Sequence, residues 1–147
     1  MGILIDNKQK LHKISMPLIR KTAQALLNAL DSPDGELSIL ILDDPQIARL
    51  NQQYRNQQGP TNVLAFPMQE GDFSGINPDL IGDVVISIET TAKEAEQMKM
   101  SIEKRFNFLL VHGILHLFGY DHEKSEEAAV KMDQKTEELI KLITIED

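Results

Sequence analysis

The sequence contains no cysteine and no tryptophan. The first absence excludes disulfides and thiolate metal sites and fits a reducing compartment. The second, with only two tyrosines, leaves little for stacking nucleic-acid bases. Long apolar runs are also missing, so no segment reads as a membrane span. "MGILIDNKQK" has no basic segment before a long apolar run and does not read as a signal peptide. Asp6 stands where a myristoylation pattern needs Ser or Thr. A cytoplasmic, membrane-free protein is expected. Positive charge is short as well. The net charge is −8, which argues against a general nucleic-acid binder. The deficit is uneven. Residues 1–60 carry seven Lys/Arg and six Asp/Glu, whereas residues 61–147 carry eight and seventeen. A polyanion is therefore expected over surfaces from the first part, where Arg20, Lys21 and Arg55 lie.

What is present suits one folded unit. The 147 residues are 41% hydrophobic, enough for a single core. Residues 2–6, 36–42, 62–67 and 81–88 read as strands, from short apolar or alternating patterns. "SMPLIRKTAQALLNAL" (15–30) has helical spacing, with Ser15 as cap and Pro17 in its first turn. Residues 44–55 follow Asp44 as cap, with Pro45 opening the helix and Ile47, Leu50, Asn51 and Tyr54 on one face. Residues 68–80 read as a long Gly/Pro/Asp-rich loop. Helices are expected over 89–98, from Ser101 as cap to Gly119, and over 124–143.

Three of the four histidines lie in "HGILHLFGYDH", residues 112–122. The preceding stretch is apolar nearly all round, so its helix should be buried on most sides. His112 and His116 are four apart and share one face. Gly119 is a left-handed stop, after which the chain can bring His122 back to that face. Three neutral imidazoles with an open fourth position are the pattern of a catalytic zinc site. A lone buried histidine is usually a packed core residue, but three in this arrangement are hard to explain by packing. His12 stands alone and reads as a solvated or core-edge residue. Zinc peptidases use H-E-x-x-H, with the glutamate as base. Gly113 takes that place here, so a peptidase would lack its base. Asp121 either orients an imidazole or caps the turn.

"HGILHLFGYDH" resembles the signature H-G-x-L-H-L-x-G-Y-D-H of the YbeY family at every fixed position. That family comprises metal-dependent endoribonucleases of ribosomal RNA maturation. "LNQQYRNQQGPTNVLAFP", "IGDVVIS" and "EEAAVKM" resemble further family segments, so the likeness runs across most of residues 37–142. Asn62 departs from the family's Asp and Ala65 from its Ser. The resemblance implies one α+β domain over residues 1–147. Its small mixed four-stranded sheet and about five helices would pack around a central buried helix carrying the metal motif, in a zincin-like fold. It implies zinc, one ion per chain, on His112, His116 and His122, and a functional Arg55. His112 and His116 join Arg55 as catalytic residues. The implied activity is single-strand-specific cleavage of ribosomal RNA, maturing the small-subunit RNA 3′ end and serving ribosome quality control. The partners would be single-stranded or ribosomal RNA and the small ribosomal subunit with its proteins. The nucleophile stays open between a 2′-hydroxyl and a metal-activated water. Two alternatives are a zinc hydrolase of another substrate and a non-catalytic ribosome-assembly factor with a structural metal.

Overall fold

The computed structural model describes residues 2–68 and 79–146, with side chains to Thr144. Among the described residues, nine elements follow the expected order: β1 (Ile3–Asn7), α1 (Met16–Ala29), β2 (Glu36–Leu42), α2 (Asp44–Arg55), β3 (Val63–Pro67), β4 (Leu80–Ser87), α3 (Ile88–Met98), α4 (Ile102–Leu117) and α5 (Glu126–Glu146). The expected single α+β unit, with a four-stranded mixed sheet and five helices, is borne out. Most of the loop expected over 68–80 lies outside the described residues.

The sheet order is β1-β2-β4-β3. β1 and β4 run parallel to β2, and β3 runs antiparallel to β4. β3 is therefore an edge strand, and Pro67 ends it where a missing N–H does no harm. Alternation along the strands separates two cores. Leu37, Ile39 and Ile41 of β2 and Val84 and Ile86 of β4 join α1, α4 and α5 in the larger core. Leu42, Leu64 and Val85 meet Ile47 of α2 in a smaller one on the other face. The same alternation turns Val63 and Ala65 of β3 toward α4.

Two helix starts match the sequence reading. Ser15 accepts from the Leu18 N–H, and Ser101 from the Lys104 N–H. The other three are displaced by one or two residues, α5 opening at Glu126 rather than at residue 124. The cap of α2 is Asp43, which forms a capping box with Gln46. Asp44 turns inward instead. α3 starts at Ile88, because Ser87 caps it by accepting from the Thr90 N–H at 3.1 Å.

α4 is the buried helix expected, with Leu110, Val111, Ile114 and Leu115 fully enclosed. It lies close against β3 and β4 because of Gly113. A Cβ there would stand 2.8 Å from Val84 Cγ1 and 3.2 Å from Val63 Cγ2. The position where a zinc peptidase carries its glutamate is thus filled by the sheet.

Candidate metal centre

The end of α4 is a Schellman motif. The Tyr120 N–H donates to the Leu115 carbonyl at 3.0 Å, and the Gly119 N–H to that of His116 at 3.1 Å. Gly119 has φ +93°, the left-handed conformation the sequence reading assigned to it. The reversal returns His122 to the face of His112 and His116. Each imidazole offers a nitrogen, and these nitrogens lie within 4.8 Å of one another. The His112 and His116 Nε2 atoms are 3.1 Å apart. His122 is exposed, and the other two are half-buried.

The electrostatics favour metal ligation over protonation. Burial first, then His116, His122 and Arg105, push the His112 imidazole down to about 4. Burial also lowers His116; Asp121 and Glu123 pull the other way, while His122 and Arg55 add to the lowering. Both rings are held toward the neutral form that a metal requires. A trio of imidazole nitrogens fits one divalent cation with an open coordination position. Asp121 takes up the turn-capping role. Its Oδ1 accepts from the Glu123 N–H at 2.9 Å and caps the turn before α5.

The trio sits in a cleft of about 490 Å³ whose wall includes Arg55, Asn62, Tyr120 and Lys124. Arg55 is the last residue of α2, and Asn56 ends the helix at φ 55°. Buried Asn51 donates to the Gly59 carbonyl at 3.0 Å and ties down the loop beyond it. Tyr54 packs edge-on against Phe66, joining α2 to β3. The stretch "LNQQYR" thus places an exposed guanidinium at the cleft wall.

The residues of the expected basic surface stand apart in the structure. Of the basic residues in 1–60, only Arg55 lines the cleft. The Arg20 guanidinium donates to the Ile3 carbonyl and braces α1 against β1. The second cation at the cleft is Lys124, from the acidic part of the chain. His12 is away from the trio, with its main chain bound by the Gln9 side chain.

Sequence reading also missed the support behind the trio. Arg105 Nε donates to Glu94 Oε1 at 2.9 Å. Its guanidinium carbon lies 4.9 Å from the centre of the Phe108 ring. Phe108 in turn stacks on His112, 6.5 Å between centres and 19° between planes. The only sequence signal was the i, i+3 spacing of Arg105 and Phe108 and the i, i+4 spacing of Phe108 and His112, which many helices show.

The profile of the family described as Endoribonuclease YbeY matches residues 4–144. The chain belongs to the endoribonuclease YbeY family. The endoribonuclease YbeY of Geobacter sulfurreducens is 47% identical over 144 residues, 97% of this chain and 96% of that one. That of Aquifex aeolicus is 44% identical over 124 residues, 84% and 81% of the two chains. The solution structure of TM1509 from Thermotoga maritima shares the fold with TM-score 0.70 at 27% identity, covering 98% of this chain and 90% of that one. The resemblance read from "HGILHLFGYDH" is borne out, and so is the expectation of an enzyme. Among the described residues, no helix is long and apolar enough to cross a membrane.

Proposed function

We propose that residues 1–147 act as one metal-dependent endoribonuclease unit that cleaves single-stranded RNA. We place its work in the cytoplasm, on the small ribosomal subunit with its associated proteins, in 3′-end maturation of the small-subunit RNA and in ribosome quality control. Family membership supports the reaction class. The observation that carries the reading is the meeting of His112, His116, His122 and Arg55 in one open cleft. His112, His116 and His122 would hold one zinc ion per chain. Such an ion supplies Lewis-acid polarisation of a phosphate oxygen and activation of a hydroxyl or water.

The other groups act on the strand itself. Arg55 presents a planar fork of donors to a phosphate and stabilises the charge that grows on it during cleavage. Lys124 supplies a second positive point in the same wall for a phosphate. Asp121 and Glu123, beside His122, keep the cleft from being a general polyanion trap. Selectivity for single strands follows from access, because a splayed backbone can enter the cleft where a duplex cannot. A peptidase is disfavoured because Val84 and Val63 fill the place of its glutamate base. A purely structural metal is disfavoured because the site opens to solvent at His122.

The test is cleavage of a defined ribosomal RNA precursor by zinc-loaded wild type and by Arg55→Glu. The wild type should cut single-stranded segments, and the variant should be inactive while keeping its metal. Wild type that cleaves peptides but no RNA would overturn the reading. So would tight subunit binding without turnover.

A further inference from the structure

One amide in the cleft has its orientation set by a neighbour outside it. Asn62 lies just before β3 and lines the cleft. Its Nδ2 is 3.1 Å from Glu94 Oε2 and 3.3 Å from Oε1. An ionised carboxylate only accepts, so the NH2 of Asn62 must face Glu94 and its Oδ1 must face away. Glu94 cannot follow a rotation of the amide, because Arg105 holds it at 2.9 Å. Arg105 and Glu94 are 12% and 25% exposed in their side chains, so water competes weakly for this pair. The main chain of Asn62 is held too, its carbonyl accepting from the Ser87 N–H at 3.0 Å. Backbone and amide plane are both fixed. Among the described residues, none donates to Oδ1.

The rest of the cleft shows what such an acceptor can select. Arg55 and Lys124 only donate, and they address phosphates, which RNA and DNA share. The group that RNA has and DNA lacks is the 2′-hydroxyl, which donates one hydrogen bond. An acceptor oxygen fixed in direction suits that task. Glu94 also explains why this chain carries an amide at 62. An aspartate there would bring two carboxylates to about 3 Å.

We propose that Asn62 Oδ1 accepts a hydrogen bond from a ribose 2′-hydroxyl of the bound strand. Asn62 is then a specificity residue for RNA over DNA, and Glu94 and Arg105 are the positioning residues that aim it. The inference rests on the endoribonuclease reading above.

The test uses zinc-loaded enzyme and a set of single-stranded oligoribonucleotides, each with one 2′-hydroxyl replaced by hydrogen or fluorine. At the scissile position the hydroxyl can itself be the nucleophile, so binding of the uncleaved oligonucleotide is read there. At one position wild type should lose about fivefold, the worth of one hydrogen bond. Asn62→Ala should be slower on all-ribose RNA by a similar factor and show no further loss at that position. Asn62→Asp alone should be impaired by the facing carboxylates. Asn62→Asp with Glu94→Gln should recover both rate and 2′ discrimination, because the amide introduced at position 94 can donate to the new acceptor. Melting temperature and metal content verify each variant, and Asn62→Ser replaces the alanine if that variant does not fold. An Asn62 variant that keeps the wild-type 2′ penalty at every position overturns the proposal, as does a wild type with no penalty anywhere. Wild type that cleaves no RNA overturns the endoribonuclease reading instead.

Discussion

Asp44 and His112 each anchor a polar cluster at a buried part of the fold, and the clusters use their hydrogen-bonding capacity differently. Asp44 accepts from Ser87 Oγ at 2.6 Å, from Thr90 Oγ1, and from Lys93 Nζ at 3.0 Å. Burial pushes its carboxyl up, but bonds from Ser87, Thr90 and Lys93 outweigh that and hold it below the ordinary range. Its own N–H donates to Glu89 Oε1 at 2.9 Å. This cluster satisfies itself, and it ties the start of α2 to the start of α3. The imidazole cluster cannot do the same. Its ligand nitrogens face one another, and protonating more than one ring would set like charges against each other. Polar density alone does not mark a functional site. A donor set that stays incomplete until something else arrives does.

The largest effect that sharpens this contrast comes from removing one imidazole. His116→Ala should drop bound metal from about one equivalent per chain to a trace and abolish RNA cleavage. Elemental analysis of purified protein checks it, and unchanged metal content would break the contrast at once. Next is Arg55→Lys, which keeps the charge but loses the fork. Cleavage should fall by about 100-fold, with metal content and melting temperature near wild type. A variant that cleaves normally would return Arg55 to the role of a helix-end charge.

The self-satisfied cluster should answer in stability alone. Asp44→Ala strips Ser87, Thr90 and Lys93 of their acceptor and should cost about 2 kcal/mol in chemical denaturation. The cleavage rate of the folded fraction should not change. Because the native carboxyl titrates lower than the unfolded one, its stabilisation holds above the ordinary 3.8 and fades as pH falls below it. Wild type and variant should therefore converge in strong acid.

The smallest effect is in the metal-stripped protein. His112 titrates near 4 when folded, against an ordinary value of 6.5. The unfolded chain takes up that proton first, so stability is complete above 6.5 and declines as pH falls toward 4. Solvent screening of the partly exposed ring limits the loss to about 1 kcal/mol at pH 5. Denaturant midpoints from pH 7.5 to 4.5 measure it, and His112→Gln should flatten the curve. Zinc-loaded protein should hold its stability to lower pH, until protons displace the ion.

Much of this was legible along the chain because the relevant physics is local. Helical spacing puts His112 and His116 on one face, Gly119 reverses the chain toward His122, and two-residue alternation sorts strand side chains between the two cores. The Ser15 and Ser101 caps act within three residues of themselves. Only the tertiary structure could decide contacts between segments distant in sequence. It turned Asp44 from an expected cap into the hub between α2 and α3. It tied Arg20 to β1, and it brought Lys124 into the cleft wall. It also joined Asn62, Glu94 and Arg105, which no spacing rule connects. Local patterns hold wherever backbone geometry fixes neighbours, whereas these contacts exist only once the sheet and α4 share a core.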